Sequence, residues 1–177
     1  MGARKLQIAV SGKSGCGNTT VSRMVAEHLG LTFINYTFRS LAEEKGMTLT
    51  DVLNRAGEDD WWDREVDRRQ IALARASGGC VLGSRLAIWM LAEADLKVYL
   101  RALPRTRAQR IARREGGSLE DIAAFTQERD RKDRERYLRI YNIDNDDYSF
   151  ADLIIDTDHI PVEEISHAII EAANKRL

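Results

Sequence analysis

Leu6-Gln7-Ile8-Ala9-Val10, followed by Ser11-Gly12-Lys13-Ser14-Gly15-Cys16-Gly17-Asn18-Thr19-Thr20, is the stretch that decides the fold of this chain. The first five residues form a short apolar run, the signature of a buried strand. From about Thr19 to Leu29 the apolar residues recur at helical spacing. Between them, Gly12, Gly17 and Thr19 fit the phosphate-loop pattern G-x-x-x-x-G-K-[ST], but Asn18 stands where that pattern has lysine. A strand–loop–helix setting makes backbone N–H groups converge at a helix N-terminus, where a phosphate is stabilised. The stretch therefore implies nucleotide binding, and it raises the question of what replaces the lysine charge.

The loop supplies the first set of candidates. Gly12, Gly15, Cys16, Gly17, Asn18, Thr19 and Thr20 would contact the nucleotide, with backbone N–H groups from Gly15 to Thr20 on its phosphates. The Thr19 hydroxyl is the candidate ligand for Mg²⁺. Asn18 offers amide hydrogens without charge. Lys13 is the nearest cation in sequence, at the place of the extra lysine of deviant Walker loops. It either reaches the phosphates from the other side or stays a solvated surface lysine.

Outward from the loop, four further apolar runs read as strands: Leu31 to Asn35, Cys80 to Leu82, Leu96 to Leu100 and Leu153 to Asp156. Amphipathic stretches of helical period separate them, with Thr48/Asp51 and Ser118/Asp121 resembling capping boxes. Pro104 and Pro161 mark helix starts. Alternating strands and helices argue an α/β domain with a parallel sheet. Residues from about 35 to 78 are too many for a simple crossover and read as an inserted helical subdomain. Gly116 and Gly117 separate two Arg-rich helices and suit the hinge of a lid over about 115–130.

At 177 residues and net charge −1, the chain reads as one domain without a global basic field, which disfavours non-specific nucleic-acid binding. Its charge is uneven, with 12 basic against 7 acidic residues between Arg101 and Arg139. Such a local excess suits a compact anionic substrate. Two cysteines make no disulfide or metal framework, and no apolar run reaches membrane-span length. A cytoplasmic, soluble protein is expected.

Within the basic segment, Arg129, Asp133 and Arg136 fall at i, i+4 and i+7 and share a helix face. Guanidinium groups fork onto phosphate oxygens, while a carboxylate accepts from a sugar hydroxyl or base amine. A solvated helix laced with ion pairs would give the same run. Arg107, Arg110 and Arg114 share another face that would look toward a transferring phosphoryl group. Arg39 and Arg85 follow the second and third strands, at the carboxyl ends where open parallel sheets bind ligands. Asp63 lies among charges that touch substrate or stay wet. Of the adjacent Trp61 and Trp62, one is expected in a core and one at a rim.

These residues resemble a family, the cytidylate (CMP) kinases, in particular the short archaeal-type branch of the P-loop nucleoside monophosphate kinases. The resemblance runs over nearly the whole chain. It rests on the Gly12-to-Thr20 loop, Phe38-Arg39-x-Leu-Ala-Glu-Glu-x-Gly-Met, and Asp63-x-x-x-Asp67-Arg-Arg-Gln. It continues in Ser84-Arg85-Leu-Ala-x-Trp-Met, Arg107-Ala-x-Arg110-Ile-Ala-x-Arg114-Glu-Gly, Glu128-Arg129-x-x-x-Asp133-x-x-Arg136-Tyr, and Tyr141-x-Ile-Asp144. The resemblance implies a five-stranded parallel sheet of order 2-3-1-4-5 and a kinase moving a phosphoryl group from ATP, with Mg²⁺, to CMP and dCMP. It implies that Arg39 and Arg85 hold the CMP phosphate and that Arg129, Asp133 and Arg136, with Asp63, hold CMP. Arg110, Arg114, Arg129 and Arg136, with Lys13, would stabilise the transferring charge. Thr157 and Asp158 would lie near adenine, and the molecule would be a monomer. Members of this branch often carry Thr at the Walker lysine position, so Asn18 need not mean inactivity. The third strand ends in Gly83-Ser84 without an acidic residue, leaving Mg²⁺ to Thr19, phosphates and water. A nucleotide-binding regulator of the same fold, without transfer, is the rival reading. An RNA-binding protein is weaker, because acidic residues interleave the basic segment.

Overall fold

Five short parallel strands carry the molecule, whose computed structural model describes residues 6–176. In chain order they are β1 (Gln7–Gly12), β2 (Thr32–Ile34), β3 (Cys80–Gly83), β4 (Leu96–Arg101) and β5 (Leu153–Asp156). The sheet order is β2-β3-β1-β4-β5, as the resemblance implied. β1 lies at its centre, with Ile8 opposite both Val81 of β3 and Leu96 of β4. A strand with parallel partners on both sides must be apolar on both faces, and Ile8, Ala9 and Val10 are all fully buried. β1 runs two residues further than its apolar run, because Ser11 and Gly12 continue the ladder against Tyr99 and Leu100.

Helices cover both faces of the sheet. On one side α1 (Asn18–Leu29) and the C-terminal α8 (Val162–Asn174) close a core of Ile8, Val10, Val21, Val25, Val98, Ile165 and Ile169. On the other, α4 (Trp61–Ala76) and the short α5 (Ala87–Met90) cover Ala9, Leu82 and Tyr99. The insertion expected over about 35–78 consists of α2 (Phe38–Lys45), α3 (Leu49–Glu58) and α4. It has its own small core of Tyr36, Leu41, Val52, Trp62 and Val66. Trp62 is the core member of the tryptophan pair and Trp61 the rim member.

α6 (Pro104–Glu115) and the long α7 (Leu119–Tyr141) meet at the Gly116-Gly117 break. Thr48 and Ser118 cap their helices through the N–H groups of Asp51 and Asp121, but neither forms the reciprocal half of a capping box. The complete box sits at Thr37/Ser40, where a serine hydroxyl does what Glu or Gln usually does. Pro104 occupies the first turn of α6, and Pro161 sits one residue before α8. No described helix is long and apolar enough to cross a membrane.

Candidate active site

The phosphate loop is built so that its donors face inward and its carbonyls are held from behind. Within it, Cys16 N–H donates to the Lys13 carbonyl at 3.1 Å, and the first helical bond of α1 runs from Val21 N–H to Gly17 O at 3.0 Å. The N–H groups of Asn18, Thr19 and Thr20 therefore precede any intrahelical acceptor and stay open. Gly17 caps the helix with φ 87° and no side-chain cap, so no capping side chain takes the place of an anion among the described residues.

Behind the loop, three consecutive carbonyls are tethered. Arg107 Nη1 donates to Ser14 O at 3.2 Å, Arg110 Nη1 to Gly15 O at 3.2 Å, and Thr157 Oγ1 to Cys16 O at 3.4 Å. Carbonyls pulled outward turn the intervening N–H groups toward the ligand side. Arg107 is also paired with Asp130 of α7 at 2.6 Å and is almost fully buried. Arg110 also donates to Thr157 Oγ1 at 2.9 Å.

This geometry places several of the sequence candidates away from the cleft. The guanidinium groups of Arg107 and Arg110 point at the back of the loop rather than into the cleft. Arg114, one turn further along α6, does line the cleft. The Thr157 side chain is fully enclosed, and the Asp158 carboxylate accepts from Leu103 N–H at 3.0 Å, ahead of α6. Neither side chain reaches the cleft. Cys16 contributes its side chain to the core, where burial pushes its thiol up, and its N–H is already taken by Lys13 O.

In front of the loop, the cleft of about 830 Å³ is lined by residues from the loop, α3, α4, α6, α7 and the end of β3. Gly12, Gly15, Gly17, Asn18, Thr19 and Thr20 line one end. The Thr19 and Thr20 side chains are exposed and make no hydrogen bond among the described residues. The Asn18 side chain points elsewhere. Its amide donates to Ser84 O at 3.3 Å and its Oδ1 accepts from Ser22 Oγ at 3.0 Å, tying α1 to the end of β3. Lys13 lines the cleft and pairs with Asp146 at 2.6 Å, so it is not the free surface lysine of one sequence reading.

At the other end, Arg85, Arg129 and Arg136 gather around two buried carboxylates. Asp133 bonds Arg85 through Oδ2 and lies 3.2 Å from Arg136 through Oδ1. Arg136 Nε also lies 3.0 Å from Asp63 Oδ1 as an ion pair without hydrogen-bond geometry, and Asp63 Oδ2 has no hydrogen-bond partner among the described residues. Burial pushes the Asp63 carboxyl up against the pull of Arg136. Arg129 makes no ion pair among the described residues; partial burial and the like charge of Arg85 hold its guanidinium below the usual range. Five of the sequence candidates, Asp63, Arg85, Arg129, Asp133 and Arg136, are thus brought together. Arg39 is not among the cleft-lining residues; it is exposed on the first turn of α2.

A family model described as "Cytidylate kinase-like family" matches residues 7–159. The chain belongs to the cytidylate kinase-like family. A protein named cytidylate kinase 2 from Borreliella afzelii (strain PKo) is 49% identical over 175 residues, covering 97% of this chain and 98% of that one. A cytidylate kinase from Pyrococcus horikoshii is 46% identical over 171 residues, covering 96% and 88%. Among solved structures, a shikimate kinase from Acinetobacter baumannii in complex with shikimate aligns with TM-score 0.67 at 19% identity, covering 97% of this chain and 94% of that one. That likeness concerns the P-loop kinase fold. By family, the chain is a phosphotransferase.

Three further cleft residues had no committed role in the sequence reading, Asp67 and Gln70 being only members of the Asp63-x-x-x-Asp67-Arg-Arg-Gln motif. Gln70 is buried on α4 with its Oε1 unpartnered, one face with Asp63 and Asp67. Asp67 accepts from the Tyr141 hydroxyl at 2.6 Å, and burial pushes its carboxyl up to about 6. Phe125 of α7 stands 68% exposed at the cleft, too apolar for open water and unsupported by any neighbour that would bury it. The i, i+4, i+7 spacing of Asp63, Asp67 and Gln70 was the available signal for the first two.

Proposed function

We propose that the chain transfers the γ-phosphoryl group of ATP to CMP, and to dCMP, giving the diphosphate and ADP. The observation that carries this reading is one cleft with two unlike ends. An open helix N-terminus at one end faces a carboxylate-held arginine cluster at the other. Loop N–H groups from Asn18 to Thr20 suit the donor's phosphates, while Arg85, Arg129 and Arg136 suit the acceptor's phosphate.

The acceptor base meets α4. Asp63 Oδ2 and Gln70 Oε1 are buried acceptors without donors among the described residues. A cytosine amine supplies the missing donor, whereas uracil would present a carbonyl to acceptors and leave them unpaired, a costly arrangement. Transfer then needs positioning and charge neutralisation only. An oxygen of the CMP phosphate attacks the γ-phosphorus, the β–γ bridging bond breaks, and its electron pair stays on ADP. Arg114, Arg129 and Arg136, which line the cleft, would neutralise the oxygens in flight. Mg²⁺ fits the residues present: the unpartnered Thr19 hydroxyl would hold it together with nucleotide phosphates and water, and when bound it supplies charge neutralisation at those phosphates.

Purified protein, ATP and Mg²⁺ with CMP, dCMP, UMP, AMP and GMP, read by chromatography of the diphosphates, tests the reading. CDP and dCDP are expected to dominate, with UDP lower by roughly a hundredfold or more. The turned-away Asn18 favours a second reading, a nucleotide-binding regulator. ATP binding without any diphosphate from any acceptor would establish the regulator instead.

A further inference from the structure

The end of α7 and the segment that follows it hold three elements at once. Tyr141 donates to Asp67 of α4 at 2.6 Å. Asp144 takes the Arg134 guanidinium in a fork, with Nε at 2.8 Å and Nη2 at 2.6 Å. Asp146 reaches across to Lys13 of the phosphate loop, Oδ1 to Nζ, at 2.6 Å. Asp146 is itself fixed: its N–H donates to Asp144 Oδ1 at 3.0 Å and its Oδ2 lies 3.4 Å from Arg134 Nε.

We propose that Asp146 is a positioning residue for phosphoryl transfer, holding Lys13 Nζ at the cleft so that Lys13 supplies the charge that Asn18 does not. The proposal rests on the kinase reading above. A lysine side chain at a loop tip carries about 2 kcal/mol of rotamer entropy, so an unheld Lys13 would spend little time at one point. Asp146 removes that freedom before the nucleotide arrives. An ammonium group has three donors, and Asp146 Oδ1 engages one direction, leaving the others for phosphate oxygens. The four charged groups Lys13, Arg134, Asp144 and Asp146 sum to zero, so the cluster adds no bulk field; its contribution is placement. Asn18, bonded to Ser84 and Ser22, is committed to joining α1 to β3 and is not placed for that task.

The test is a double-mutant cycle of Lys13→Ala and Asp146→Asn on the full chain, with kcat and the KM for ATP measured for each. Asp146→Asn keeps the size of the side chain and leaves the Asp144–Arg134 fork in place. It is expected to lower kcat about tenfold, a misplacement effect, with KM changed less than about threefold. In the Lys13→Ala background the same change is expected to alter kcat less than about twofold. Melting temperatures within a few degrees of the parent separate placement from loss of fold. An equal loss of kcat in both backgrounds would make Asp146 merely structural. Unchanged or raised kcat in the single mutant would mean that Asp146 does nothing for Lys13 or competes with the phosphate. Either result overturns the inference while CDP formation by the parent keeps the kinase reading. Absence of diphosphate from the parent protein defeats both.

Discussion

Gly15 and Gly17 share a left-handed backbone, with φ 85° and 87°, and differ in what surrounds them. A Cβ on Gly15 would lie 2.8 Å from Arg107 O and 2.9 Å from Arg107 Cα, so alanine there drives the loop off α6. A Cβ on Gly17 would meet nothing within 4 Å. Gly17→Ala is expected to lose about 1–2 kcal/mol of stability from the backbone conformation alone. Gly15→Ala adds overpacking of about 1–3 kcal/mol and weakens ATP binding as well. Urea unfolding and calorimetry with ATP compare the two, and equal losses would refute the packing argument. Asp67 makes a second residue-scale case. Its carboxyl rises from 3.8 to about 6 through burial, so the folded chain binds this proton more readily than the unfolded one. Its contribution therefore favours folding at low pH and is lost as pH climbs through 4 to 6. Asp67→Asn keeps an acceptor for Tyr141 and is expected to stabilise the protein at pH 8 by at most about 3 kcal/mol, falling to about 1 kcal/mol at pH 4.5. Unfolding curves at the two pH values decide it; an equal gain at both would rule out titration of Asp67 as the cause.

Among the elements, α7 was legible in part. Its arginine–aspartate–arginine spacing showed one face, and that face does line the cleft. On α6 the shared face brings Arg114 to the cleft and Arg107 and Arg110 to the back of the loop, for a physical reason. Arginines at i, i+3 and i+7 mark a shared side of a helix, but periodicity does not say whether that side looks at the ligand or at the loop's back. Only the packing of α6 against residues 14 and 15 settles this, and it buries Arg107. Strand boundaries followed the apolar runs closely, except where β1 continued into Ser11 and Gly12, whose small side chains carry no strand signal. α7 also has unequal ends. Its C-terminal half is fastened to α4 and the residue before it, through Arg139–Asp60 at 2.7 Å and Arg64 to Ile140 O at 3.2 Å. Its first turns, beside the Gly116-Gly117 break, pack on α6 and leave Phe125 in water. Amides of residues 119–125 are expected to exchange with deuterium faster than those of 133–141 in the free protein, and to slow when CMP and a non-hydrolysable ATP analogue are added. Uniform protection along α7 without ligand would argue against a lid there.

For the molecule as a whole, apolar runs separated by helical periods gave a parallel α/β domain, but not the order of its strands, which came from the family resemblance. Strand order is a matter of which runs meet, and each run is too short and too uniform to name its neighbour. The same limit hid Lys13–Asp146 and Asp67–Tyr141, pairs joined only by the folded chain. The cleft lies where the topology favours it, beyond the carboxyl ends of β1 and β3 and beneath the helical insertion. The tethers on the phosphate loop carry a consequence for how this chain is made. Ser14, Gly15 and Cys16 take their partners from residues 93, 95 and 141 positions further on. On the ribosome, the loop emerges among the first residues but lacks its supports until α6 and the end of β5 have followed. A nascent chain thus carries a nucleotide motif with no nucleotide site. The loop's backbone is therefore held in its final shape only once the sheet is complete.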